Sequence, residues 1–284
     1  MTKHQSLFII IFLVGISSSA LASTNDANII ANTQNNDEKS FYVSWGYNKD
    51  YWTNSDIHIS QPALNNNFVV NDVHAGDYPG WNTGIFNKDL MSPQYNIRFG
   101  YFFNPARTWG IELSFDHTKY NTNLNQVARI SGMINGQTVI QNSVLTSNYF
   151  YYALHNGANN LMLNLVRRKT MVTMPTAKLQ LVGIGKAGMG VMLPHPENTI
   201  FGQTVNVGPK AWNNYFGWNH GWWQMGGWTA GLELGMQLVF RKRVYLEFTD
   251  KEAYVNLSDI QVYQGQASQT MWLNEMIGSF GVMF

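Results

Sequence analysis

The chain has no cysteine at all. That excludes a disulfide scaffold, a cysteine nucleophile and a thiolate zinc site. Charge is scarce as well: 12% of the 284 residues are charged, about half the ~25% of an ordinary soluble domain. Neither sign dominates, with 18 Lys+Arg against 17 Asp+Glu, so there is no basic field for a nucleic-acid backbone. Beyond the N-terminus there is no apolar run of ~18 residues, and so no helical membrane span. What is abundant is aromatic and uncharged polar: 14% Phe, Trp and Tyr, and enough Asn, Gln, Ser, Thr and Gly to bring the mean hydropathy to -0.20. Such a chain is too aromatic for a disordered protein.

The first residues have the build of an export signal. Lys3 and His4 precede the apolar run Leu7 to Ile16, and small residues follow, from Ser17 to Ala22. A charged start, a core of about ten apolar residues and a small-residue cleavage site form a leader, too short to span ~30 Å of hydrocarbon as a helix. The expected organisation is a signal peptide over 1–22, cleaved after Ala22, a disordered Asn- and Asp-rich periplasmic tail over 23–39, and one folded unit over 40–284, in an exported bacterial protein.

The hydrophobic period fixes the fold class. In Gln94 to Phe103, Tyr95, Ile97, Phe99, Tyr101 and Phe103 share one face, while Gln94, Asn96, Arg98 and Gly100 share the other. This is the two-residue period of a strand. The same alternation recurs near 41–52, 108–120, 157–168, 177–190, 226–240, 243–258 and 270–284, together with 92–104. Each stretch exceeds the ~9–11 residues of a tilted crossing. The spacers alternate between long segments (Thr53 to Met91, Asn121 to Asn156, Leu193 to Met225) and tight turns such as Pro105-Ala106-Arg107 and Arg241-Lys242-Arg243. Eight strands with short turns at one end and long loops at the other predict an all-β, eight-stranded antiparallel transmembrane barrel with extracellular loops and periplasmic turns. Trp45, Trp109, Tyr101 and Phe103 suit its aromatic girdles.

On this parity Asp50, Arg98, Glu112, Asp116, Lys186, Glu233, Glu247, Lys251 and Glu275 point into the lumen, with Asn96, Asn160, Asn164, Gln180 and Gln237. Eight strands leave an interior that side chains just fill, so a plug of opposite charges is expected. The other option is a narrow, cation-favouring path.

The outer loops carry the candidate sites. Trp212, Tyr215, Trp218, Trp222 and Trp223 stand among Asn213, Asn214, Asn219, His220 and Gln224, flat rings beside amides that suit a glycan or a lipopolysaccharide sugar; they also suit a loop lying on the outer leaflet. Asp56, His58, Asp72, His74 and Asp77 offer imidazoles and carboxylates, but no third fixed ligand, so no metal or cofactor is assigned. Asp56, His58 and Ser60 share a face if extended, and an acid, a base and a hydroxyl are the parts of acyl hydrolysis. His117 and Lys119 are expected to face outward toward lipid A phosphates, and His155 is a third candidate base.

Phe284 ends a strand with Phe280 and Val282 on its own face. This is similar to the C-terminal aromatic signature of outer-membrane barrels, which implies recognition by the barrel-assembly machinery. From Phe41 to Phe284 the chain resembles the small eight-stranded outer-membrane proteins: the OmpA-, OmpX- and OmpW-type barrels and the lipid A modifying enzymes PagL and PagP. His58-Ile59-Ser60 resembles the His-x-Ser of PagL-like deacylases, except that there the pair sits on a barrel strand. The resemblance implies an outer-membrane protein in contact with lipid and lipopolysaccharide. Its expected role is surface binding, adhesion or envelope structure. The alternatives are an outer-leaflet acyl hydrolase and an OmpW-like narrow channel.

Overall fold

The computed structural model describes residues 40–77, 93–205, 207, 216–217 and 221–284. Twelve strands form its main sheet: β1 (Ser40–Trp52), β2 (Ser55–Gln61), β3 (Asn66–Val73), β4 (Tyr95–Phe102), β5 (Trp109–Asp116), β6 (Val127–Ile134), β7 (Gln137–Val144), β8 (Ala158–Met174), β9 (Leu179–Pro194), β10 (Gly227–Phe240), β11 (Val244–Val262) and β12 (Gly265–Met283). Eight of them run in the order β1-β4-β5-β8-β9-β10-β11-β12, and β12 pairs back onto β1 from Tyr42↔Met283 to Trp52↔Leu273. The ring is closed and antiparallel throughout. Closure leaves no edge in the membrane, where an unpaired backbone group has no water to turn to.

Side-chain parity follows the sequence pattern. Phe99, Leu163, Leu232, Phe248 and Phe280 are exposed on the outside, while Arg98, Glu112, Asp116 and Glu275 are fully buried inside. The barrel is therefore apolar toward lipid and charged at its centre, the transmembrane arrangement. Near the end with the short turns, Tyr42, Phe102, Val166, Val182, Ile184, Val239, Tyr245 and Met283 form a buried floor. Two glycines make room for it: a Cβ on Gly100 would lie 1.9 Å from the Tyr42 ring, and one on Gly281 would lie 2.2 Å from the Tyr245 ring.

At the other end the structure departs from the expected loops. The segment after β1 contains β2 and β3, and the one after β5 contains β6 and β7. These four extend the sheet from the outer part of β12, where His58↔Ser268, Ile59↔Ala267 and Ser60↔Gln266 pair. β11 and β12 run four or five residues past the strand ends expected from sequence, to a turn at Tyr263-Gln264. The reason is local: SDIHISQ in β2 alternates with the same two-residue period as the barrel strands, buried and exposed in strict succession. Its inner residues Ile57 and Ile59 join Phe68, Val70, Ile130, Leu154, Val255, Leu257, Ile260 and Leu273 in a dry core beyond the barrel. Residues 1–22 and 23–39, the expected leader and tail, lie outside the described residues.

Candidate functional site

The nine charged residues assigned to the lumen are all buried. Lys186 Nζ lies 3.1 Å from Glu112, 3.0 Å from Glu233 and 2.9 Å from Glu247. Arg98 pairs with Asp116 and reaches Glu112 at 3.6 Å and Glu233 at 3.9 Å. Lys251 Nζ donates to Asp116 at 2.8 Å and to Glu275 at 2.6 Å. Asp50 stands apart from these cations and accepts from Asn48 at 2.8 Å and Gln94 at 2.6 Å. Asn160 and Thr249 donate to Glu275 and Glu233, and the Tyr42 hydroxyl donates to Glu112 from the floor at 2.9 Å. Three cations thus hold together five of six carboxylates. Each of the three touches two or more acids, so removing one strands several charges in a place water does not reach.

The acid–base–hydroxyl set on β2 does not come together as a catalytic group. Asp56, His58 and Ser60 are exposed on one face, but Asp56 and His58 line an open cavity of 690 Å³ with Asp72, Asn256, Ser268 and Thr270, whereas Ser60 lines a separate one of 420 Å³. Four residues of strand put Asp56 and Ser60 roughly 13 Å apart, beyond a relay. Among the described residues no hydrogen bond links the three; Asp56 accepts instead from the backbone N–H of Asp72 at 2.8 Å. The other first-loop candidates turn to neutral or cationic partners. Asn54 donates to Asp72 at 2.9 Å and lies 3.3 Å from His74 Nε2; Asp77 pairs with Lys49. No group of three His, Asp or Glu able to hold a metal occurs among the described residues.

His117 and Lys119 correct an expectation. Both are buried, not turned out toward lipid. The ends of neighbouring strands cover them: His117 stacks on Tyr95 of β4 with ring centres 4.9 Å apart, its Nδ1 lies 2.6 Å from Asn159 Oδ1 of β8, and the Lys119 carbonyl accepts from Trp52 Nε1 of β1 at 2.8 Å. His155 is half-buried in the same region. None of the three candidate bases shares a cavity with Ser60.

Of the aromatic loop residues, Trp212, Tyr215 and Trp218 lie outside the described residues. Trp223 is buried, donates from Nε1 to the Asn156 carbonyl at 3.2 Å and packs near Phe115. It is an anchor for the loop, not an exposed platform for a sugar. Trp222 is half-buried and stacks on His195 at 3.9 Å. His195 Nε2 lies 3.5 Å from Glu197, and this hydrogen bond above all holds the Glu197 carboxyl below its ordinary pKa.

The feature missed in the sequence is the edge of the outer sheet. Among the described residues β7 is paired on one side only, to β6. Its sequence, QTVIQNSV, contains no charge and no proline, the devices that commonly blunt a free edge. Ile140 and Val144 on β7 are exposed, with Val127 and Met133 of β6 on the same side of the sheet.

No protein-family model matches the chain, and no curated protein matches it either. Among solved structures it is similar to the outer membrane protein AlkL in lipid bilayers, at 11% identity over 95% of this chain and 97% of that one, with a TM-score of 0.34. It is similar to the outer membrane protein OprG from Pseudomonas aeruginosa at 12% identity over 87% and 96%, with a TM-score of 0.33. It is also similar to Ail, the attachment invasion locus protein of Yersinia pestis, crystallised with the heparin analogue sucrose octasulfate, at 13% identity over 87% and 99%, with a TM-score of 0.29.

Proposed function

We propose that this chain is a surface-binding protein of a bacterial outer membrane, delivered by a leader cleaved after Ala22, in which the barrel is a closed pedestal and the outer sheet is the working part. The observation that carries this is the outer edge of β7, which has no partner strand among the described residues and stands on a sheet beyond the lipid with Ile140 and Val144 exposed. A row of free backbone N–H and C=O groups recruits an extended segment of another protein by strand addition, and the alternate apolar side chains give it selectivity. The filled lumen supports the pedestal role, because the Lys186 and Lys251 clusters occupy the space an ion would need.

The test is adhesion of cells displaying the protein to surfaces coated with extracellular-matrix glycoproteins. Ile140→Lys with Val144→Lys, which places charge along the edge without touching the dry core, is expected to reduce adhesion to that of cells lacking the protein. Equal adhesion by this variant would remove the edge from the mechanism. Steady current across a planar bilayer holding the purified protein would defeat the closed pedestal.

A further inference from the structure

We propose that the short-turn mouth of the barrel is a binding site for phosphate-bearing anions. The turns after β4 and β10 converge there with the ends of β8 and β9 around a cavity of 680 Å³, within the usual range for small-molecule sites. Five cationic side chains line it, Arg107, Arg168, Arg241, Lys242 and Arg243, with no Asp or Glu among the lining residues. Phe284 lines it as well, and its backbone oxygen accepts from the Ser40 hydroxyl at 2.9 Å. The charge here is the opposite of that in the lumen beyond the floor, where carboxylates outnumber cations.

Arg168 is the built element. Its side chain is on the inner face of β8 and only 6% exposed. The guanidinium lies over the Phe102 ring, 4.9 Å from its centre. Nε donates to Gln237 at 2.7 Å, and Nη1 donates to the Arg107 carbonyl at 3.2 Å. No carboxylate of the described residues forms an ion pair with it. Glu247 is reached only through Gln237, which donates to it. A buried charge in this position calls for a counter-ion, and a guanidinium fork held by neutral acceptors on one side presents its remaining N–H groups as phosphate and carboxylate sites do.

The turns point the same way. Arg107, Arg241 and Lys242 have φ of 53°, 49° and 57°, and two consecutive left-handed residues make the hairpin turn that Asn-Gly forms most readily. The chain places Arg-Lys there instead. Arg107 also donates across the mouth to the Lys242 carbonyl, so two of the turns are tied together around the cavity. Forked cations around a space of this size suit a phosphate group, either free in solution or as the headgroup of a lipid in the adjoining leaflet.

The full-length protein in a non-ionic detergent free of phosphate is titrated with inorganic phosphate and with pyrophosphate by calorimetry. In parallel it is reconstituted with phosphatidylglycerol or phosphatidylcholine and examined for retained lipid by native mass spectrometry. Saturable pyrophosphate or phosphate binding supports the site with a free anion as its occupant. One retained phosphatidylglycerol per barrel, with phosphatidylcholine lost, supports it with a headgroup. The discriminating variant is Arg241→Asn with Lys242→Gly, which removes two charges while giving the turn its preferred residues. Affinity should fall at least tenfold with the unfolding temperature unchanged or raised. Arg168→Gln should abolish binding, and Arg168→Lys should restore part of it. If Arg168→Gln does not fold, the turn variant still decides. Failure of both arms to show saturable binding, or unchanged affinity in the turn variant, overturns the proposal.

Discussion

The membrane ring and the outer sheet use the same strands with opposite polarity. Along the inner face of β11, Tyr245, Glu247, Thr249 and Lys251 are followed by Ala253, Val255 and Leu257; along β12, reading outward, Ser279, Ile277 and Glu275 give way to Leu273 and Met271. The outer face reverses at the same level. Leu246 and Phe248 pass to Asp250 and Glu252, and Phe280 and Met276 pass to Asn274, Trp272 and Thr270. Lys251↔Glu275 is a paired position, and Ala253↔Leu273 is the next pair on that face. One strand thus leaves hydrocarbon and enters water within a single pleat. Where lipid solvates the outside, the polar residues go in and must pair; where water does, the ordinary hydrophobic core returns. The strand itself is indifferent, since its period is two in both places.

The largest expected effect breaks the inner half of this contrast. Lys186→Met leaves Glu112, Glu233 and Glu247 without their shared cation, and removing one partner of a buried ion pair costs about 3–5 kcal/mol. The barrel should unfold at markedly lower denaturant, read from the heat-modifiable shift of the folded band on gels. An unchanged midpoint would mean that water enters and solvates the cluster. Ile130→Ala opens a cavity in the outer core instead, with a cost of about 2–5 kcal/mol. Here the loss should be local: protease should cut within β2 to β7 while the ring stays folded. Simultaneous loss of both would show that the two regions fold as one unit.

The ring was legible in the sequence because lipid exposure leaves nothing ambiguous: Phe99 and Leu163 can face outward only if something apolar lies there, and the parity of every barrel strand follows. The outer sheet was not, although Ile57 and Ile59 have the same period, because Asp56, His58 and Ser60 alternating with them read equally well as a polar loop. Which strand Ile59 pairs with is settled by Ala267, two hundred residues away, and pattern carries no such information. The candidate bases failed for a related reason. His117 follows the outward parity of β5, but Tyr95 of β4 and Asn159 of β8 close over it, and parity is blind to what covers a rim. The cationic mouth was hidden because Arg107, Arg168 and Arg241 belong to three different turns and strands, and their convergence exists only after the ring has closed.

A smaller effect locates the reversal itself. Phe248→Arg puts a cation on the lipid side, where the cost falls from about 2–4 kcal/mol at the bilayer midplane toward the interface, so it should exceed that of Tyr254→Arg, six residues farther along the same face, at about 0–1 kcal/mol. Reversible folding into vesicles measures both. Equal costs would place the membrane boundary elsewhere than at the change from Phe248 to Asp250.

The smallest effect belongs to the outer half alone and is set by pH. Glu197 lies in a loop, half-exposed, and its carboxyl is held below the ordinary value first by the hydrogen bond with His195. A carboxyl with a lowered folded pKa stabilises the fold above its unfolded pKa, and that contribution fades as pH falls through the folded value. The contribution is therefore present above the ordinary carboxyl range and lost only as pH falls through the lowered folded value. Trp222, stacked on His195, reports it: hydrogen exchange over residues 195–200 and 222–224 should quicken as pH is lowered from 6 to 3, after correction for the intrinsic rate, while exchange in the ring holds. Glu197→Gln, which cannot titrate, should flatten that response. If the variant responds as the parent does, some other group loosens the loop. If the ring responds too, the acid-sensitive element is the buried ion cluster, and the two halves are less separate than their opposite polarities suggest.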